Sequence, residues 1–171
     1  EDGTLGIMLG GDTEILDKVR PVLEFIGSNL FHMGGIGAGH ATKALNNFLS
    51  AINYASVSEA LVVAAKAGLD PVTVTAAFNA SSGCSWASQN RIPNYLFRGN
   101  RSHGGGMAIE LLVKDLATAC RIGRENEVPM PLANMVHQLL MQVAMEVGGK
   151  EPNTSVTKIF EKWAGVEVRG E

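Results

Sequence analysis

The chain has few of the residues that staple or metallate a protein. Two cysteines, Cys84 and Cys120, occur in 171 residues, which excludes a disulfide framework and suits two buried or free thiols in a reducing compartment. Four histidines (His32, His40, His103 and His137) share no metal-ligand spacing, and neither cysteine has a C-x-x-C partner. No metal site is expected. Basic residues do not outnumber acidic ones, 14 against 17 for a net charge of −3, so no global basic field marks a nucleic-acid partner. No unbroken apolar run reaches the 18 or so residues of a membrane span, and no signal peptide opens the chain. No G-x-G-x-x-G fingerprint follows a strand; Gly34-Gly35-Ile36-Gly37 precedes a helical run but lacks the surrounding unit. Neither a fixed-period repeat nor a low-complexity segment is present.

What remains is an ordinary globular composition, 46% hydrophobic and 18% charged. A chain of this length hides roughly 70% of its unfolded surface on folding. Its organising stretch is Gly37-Ala38-Gly39-His40-Ala41-Thr42-Lys43-Ala44-Leu45-Asn46-Asn47 and the run that follows. After Gly39 neither glycine nor proline occurs until Gly68, which predicts one helix of about 28 residues, about 40 Å long. Lys43, Asn47, Ser50, Tyr54 and Ser58 form one polar stripe along it by steps of three and four. Lys43 and Asn47 lie about 40° apart around the axis, within reach of one small ligand. Spacing alone leaves open that Lys43 is an ordinary solvated lysine and that Asn47 bridges inside a helix bundle. Asn46 points elsewhere and reads as structural.

Before this helix, Thr4–Leu9 reads as a short buried strand and Asn29–Met33 as a second strand. They flank a helix capped by Asp12, in which Pro21 predicts a bend or break near Arg20. After it the reading is all helix. Asp70-Pro71 starts a short one ending near Asn79. Trp86 to Asn90 reads as one or two turns, and residues 92–106, with Pro93, Gly99 and Gly104-Gly105-Gly106, as a surface loop. Helices are predicted over Met107–Asn126 and Leu132–Val147, with a last one capped by Asn153 or Thr154 and running through Trp163. The tail after Gly165 reads as frayed. Val57, Ala60, Leu61, Val63 and Ala64 put apolar positions on both sides of the long helix, predicting an uncovered face and a homo-oligomer.

The stretch Gly37–Asn47 resembles the G-x-G-x-x-x-K-x-x-x-N signature of the β-hydroxyacid dehydrogenases. That family includes 3-hydroxyisobutyrate dehydrogenase and tartronate semialdehyde reductase and is related to 6-phosphogluconate dehydrogenase. Gly3-Thr4-Leu5, Gly10-Gly11-Asp12, Arg20-Pro21-Val22-Leu23, Lys114-Asp115-Leu116 and Pro129-Met130-Pro131-Leu132 extend the likeness over nearly the whole chain, in the family's order. The resemblance implies a mainly α fold, a helical bundle around one long helix over residues 36–171. Residues 1–35 are then a strand–helix–strand remnant of a nucleotide-binding (Rossmann) domain. The chain then corresponds to the C-terminal portion of a longer enzyme, cytoplasmic or of the mitochondrial matrix.

The resemblance also assigns roles. Lys43 becomes the catalytic acid/base, Asn47 a substrate contact, and Lys114 a contact to NAD or NADP near the nicotinamide. Gly39 and Ser82, the latter in Ser81-Ser82-Gly83-Cys84-Ser85-Trp86, fall among the substrate contacts. His40 sits behind the site, and Met107 stands where the family often has phenylalanine. Asp115 orients Lys114 or caps a neighbouring segment, without a catalytic role. The implied partners are a small hydroxy acid and further copies of the chain, as a dimer or tetramer. Removing a hydroxyl proton as hydride leaves is work a lysine performs when burial or a nearby cation favours its neutral form. Two other readings stand: a non-catalytic helical assembly module, and a family member that binds ligands without turnover. The choice between NAD and NADP is not legible, since the acidic or basic selector follows the missing fingerprint.

Overall fold

The computed structural model describes residues 5–98 and 106–170. They fall into two compact units that part between Asn46 and Asn47. The first holds strand β1 (Gly6–Leu9), helix α1 (Thr13–Leu23) and strand β2 (Asn29–His32). The strands pair in parallel, with Gly6 opposite Asn29 and Leu9 opposite His32. Asp12 caps α1, its carboxylate accepting from the N–H of Glu14 and Ile15. Of the bend or break expected near Arg20, no break occurs at Pro21. The helix runs through it to Leu23, because the missing N–H costs one bond only two residues from the helix end. The matched tripeptide Gly3-Thr4-Leu5 and the predicted start of the strand at Thr4 lie partly outside the described residues.

Two glycines let this unit close up. A Cβ at Gly39 would stand 2.5 Å from the Met8 carbonyl oxygen, and one at Gly10 would stand 2.6 Å from that of Gly35. Only hydrogen fits at either place. His32 adds a clasp: its Nε2 lies 3.0 Å from the carbonyls of both Gly11 and Gly34. Carbonyls only accept, so this nitrogen carries the proton.

Helix α2 (Ala38–Lys66) is the expected long helix and runs across the boundary between the units. By length and composition alone it is able to cross a bilayer, but nearly half of its most apolar stretch is buried inside the chain. From Asn47 onward the second unit adds α3 (Pro71–Asn79), a π-helical segment (Ala87–Leu96), α4 (Ile109–Glu125), α5 (Pro131–Val147), a 3₁₀ turn (Asn153–Ser155) and α6 (Val156–Ala164). The fold is mainly α. Its core gathers Leu61 of α2, Leu116 of α4, Leu140 of α5 and Ile159 of α6. Asp70 caps α3 through Thr73, whose hydroxyl and then N–H hold its carboxyl below the usual range.

The polar stripe of α2 is buried over part of its length. Asn47, Tyr54 and Ser58 are buried, while Lys43 and Ser50 are exposed. The Tyr54 hydroxyl donates to the Thr154 carbonyl at 3.1 Å and meets Thr157 Oγ1 at 3.0 Å, which in turn meets Ser58 Oγ at 2.9 Å. One chain of donors, Ser58 to Thr157 to Tyr54 to the backbone, satisfies all three hydroxyls. Tyr54→Phe leaves the Thr154 carbonyl without this donor. It is expected to cost about 1–2 kcal/mol, read as a lower urea midpoint at unchanged slope.

Four expectations are corrected. Residues 92–96 form no surface loop: Ile92 and Leu96 are core residues of the π-helix, whose Phe97 N–H reaches back five residues to the Ile92 carbonyl. Pro93 sits inside this wider winding, and Arg91 stacks 5.1 Å from the Trp86 ring and 5.4 Å from the Tyr95 ring. Residues 99–105 of the expected loop lie outside the described residues. Neither Asn153 nor Thr154 caps α6 by its side chain; the 3₁₀ turn leads straight into the helix. The tail is not frayed, for Val168 is fully buried and its N–H donates to Glu161 Oε1 at 2.7 Å. Finally, Val57, Leu61 and Ala64 are covered by the chain's own helices, which leaves Val63, 65% exposed, as the open apolar position of that set.

Candidate functional site

Glycine packing at the start of α2 places the first element of the site. Because Gly39 lies against Met8, the next turn runs beside β1. A cleft of about 310 Å³ opens there, lined by Leu5, Gly6, Ile7, Met8, Gly39, His40 and Lys43. Its polar side chains are His40 and Lys43, three residues apart and so neighbours on the helix surface. Among the described residues no carboxylate pairs with the Lys43 ammonium, which leaves it available to a ligand. His40 therefore lines the cleft instead of standing behind it. The burial that the acid/base argument invoked for Lys43 is not found, since this side chain is exposed.

The second unit holds a separate cluster. Asn47 is 6% exposed and donates through Nδ2 to Asp115 Oδ2 at 2.6 Å. The other oxygen of Asp115 lies 2.9 Å from Lys114 Nζ. α4 presents both residues, and a burial period of three to four residues, through Leu112, Leu116 and Ala119, sets its orientation. Lys114 extends outward, whereas the Asp115 side chain is only 17% exposed. A carboxylate held by an amide and an ammonium at once is a built feature of the fold. Sequence reading placed Asp115 beside Lys114 but gave it no tie to Asn47. The signal was present in Lys114-Asp115-Leu116 within an apolar helix, but nothing in the spacing reaches 68 residues back.

Ser82 lies exposed in the turn after α3, and no hydrogen bond among the described residues ties it to Asn47 or Lys114. Met107 packs against the core, as a phenylalanine would. Cys84 is exposed and Cys120 buried, both free. A larger open depression of about 590 Å³ lies at the end of α6. Its lysines are already paired, Lys158 with Glu151 and Lys162 with Glu146. It holds none of the signature residues, so its size does not make it the site.

Comparison with known proteins adds identity to geometry. Residues 37–160 match the family described as NAD-binding of NADP-dependent 3-hydroxyisobutyrate dehydrogenase, and residues 1–35 the NAD binding domain of 6-phosphogluconate dehydrogenase. The chain is 38% identical over 170 residues to 2-(hydroxymethyl)glutarate dehydrogenase of Eubacterium barkeri, covering 99% of this chain and 56% of the relative. It is 32% identical over 166 residues to mitochondrial 3-hydroxyisobutyrate dehydrogenase of Drosophila melanogaster, covering 95% and 51%. A solved 3-hydroxyisobutyrate dehydrogenase of Mycobacterium tuberculosis with L-serine superposes at a TM-score of 0.83 with 26% identity, over 92% of this chain and 55% of that one. The chain spans about half the length of the curated relatives it matches.

Proposed function

Because the chain belongs to the β-hydroxyacid dehydrogenase family, we propose that it forms the helical part of an NAD- or NADP-dependent 3-hydroxyacid dehydrogenase. The observation that carries this reading is the signature lysine, Lys43, lining a cleft of about 310 Å³ four residues after the close-packed Gly39. The matched stretches 1–35 and 37–160 support a remnant of the cofactor domain over residues 1–35 and a substrate-binding and oligomerisation domain over 36–171.

The proposed chemistry assigns a proton to one atom. In the oxidative direction Lys43 Nζ takes the hydroxyl proton of the acid; in reverse its ammonium protonates the carbonyl oxygen. A nicotinamide, when bound, exchanges the hydride. Asn47 holds the acid through its amide, Gly39 lets it approach the backbone, and Ser82 supplies a hydroxyl. Lys114 contacts the cofactor. The residues present fit the nicotinamide end of a dinucleotide, with an apolar lining from Leu5 to Met8 and a lysine beside it. They include no G-x-G-x-x-G fingerprint for its pyrophosphate.

The test is a screen of the full-length protein with NAD and NADP against 3-hydroxyisobutyrate, 2-(hydroxymethyl)glutarate, L-serine and L-threonate. Turnover of one acid with one cofactor is expected, and none with any pair overturns the reading. Assembly is a further part of it. Leu49 and Val63 of α2, with Leu132, Met135 and Met145 of α5, leave apolar side chains exposed, and such surface marks interfaces. A dimer or tetramer is expected by light scattering at micromolar concentration; a monomer mass refutes it.

A further inference from the structure

We propose that Asp115 is a positioning residue that fixes the Asn47 amide and couples it to Lys114, so that one carboxylate serves both the substrate and the cofactor contact. The inference rests on the roles proposed above for Asn47 and Lys114. An amide side chain turns by half a rotation with little change of shape, so an isolated asparagine offers a ligand either its oxygen or its nitrogen. Asp115 removes that freedom. A carboxylate has acceptors only, and its Oδ2 lies 2.6 Å from Asn47 Nδ2; the flipped amide would set two oxygens against each other. With the nitrogen committed, the second N–H and the carbonyl oxygen of Asn47 take fixed places.

The other half of the carboxylate does the same for a charge. Lys114 has a long flexible stem and a head that is 68% exposed, a geometry in which an ion pair contributes little to stability. Its value lies in direction. Oδ1 of Asp115, 2.9 Å away, holds the ammonium beside the amide, and Asp115 itself is anchored on α4 between the buried Leu112 and Leu116.

The distinguishing experiment is steady-state kinetics of the full-length enzyme on 3-hydroxyisobutyrate, with NADH and NADPH binding followed by fluorescence. Wild type, Asn47→Ala, Lys114→Ala, Asp115→Ala and the two doubles with Asp115→Ala are compared. Asp115→Ala is expected to raise KM for the acid about tenfold and to weaken cofactor binding about threefold, with kcat within threefold of wild type. Each double is expected to be less impaired than the two single effects combined, since both act through one carboxylate. Fully additive doubles, or a KM and cofactor affinity within twofold of wild type, overturn the proposal. If Asp115→Ala does not fold, Asp115→Leu keeps the approximate shape and removes both acceptor oxygens; a wild-type KM in that variant overturns it equally. A wild-type enzyme that oxidises none of the acids, while binding cofactor, instead overturns the dehydrogenase reading on which the coupling rests.

Discussion

Replacing Lys43 by alanine in the full-length protein is expected to lower turnover by about 10² or more while leaving the melting temperature unchanged. General acid–base catalysis contributes roughly 10²–10⁴-fold, and among the described residues His40 is the other titratable side chain lining the cleft. The fold has little stake in this side chain. Lys43 is exposed and pairs with no carboxylate among the described residues, and alanine is the best helix former. Activity and stability therefore separate cleanly at this position. A variant with near-native turnover removes Lys43 from the mechanism and moves attention to His40, three residues earlier.

The second expectation is that this chain by itself neither turns over 3-hydroxyisobutyrate nor binds NAD or NADP at micromolar concentration. A dinucleotide is held chiefly by its pyrophosphate, on the G-x-G-x-x-G turn that joins the first strand and helix of a nucleotide-binding domain. No such fingerprint occurs in the sequence, and one exposed cation, Lys114, is too weak a substitute. The first unit shows the same shortfall in its packing. Helix α1 has no buried residue, and Ile15, Val22, Phe25 and Ile26 are exposed around it, Phe25 by 92%. The second unit is different in kind, with its own core through α2, α4, α5 and α6. Urea unfolding is expected to show that core melting cooperatively, while β1, α1 and β2 exchange their amide hydrogens much earlier. Calorimetric titration that detects micromolar cofactor binding, or an assay that detects turnover, refutes the expectation.

Much of the architecture was legible because its signals are local. The absence of glycine and proline between Gly39 and Gly68 is enough to predict α2 within two residues of its observed start and end, Ala38 and Lys66. Asp12 and Asp70 cap the helices they precede, as short acceptors at such positions do. The family was legible for a similar reason. Lys43 and Asn47, four apart on one helix and preceded by two spaced glycines, make a pattern that survives in a linear string.

The readings that failed involve partners distant in the chain. Pro93 and nearby glycines argued for a loop over residues 92–106, yet Ile92 and Leu96 enter the core and the backbone winds into a wider helix to bury them. The tail after Gly165 looked free, but Glu161 captures the Val168 amide. The spacing put Tyr54 and Ser58 on one polar stripe of α2 but named no partner for either; Thr154 and Thr157, about a hundred residues later, are those partners. Asp115 joined the candidate site only through a bond to Asn47 across 68 residues. The sequence by itself determined the helices, their caps and the signature, since capping, backbone freedom and helical spacing act within a few residues. Tertiary structure alone decided which polar groups are buried and what they bind, because a hydroxyl or carboxylate pays for desolvation only where the fold brings it a partner.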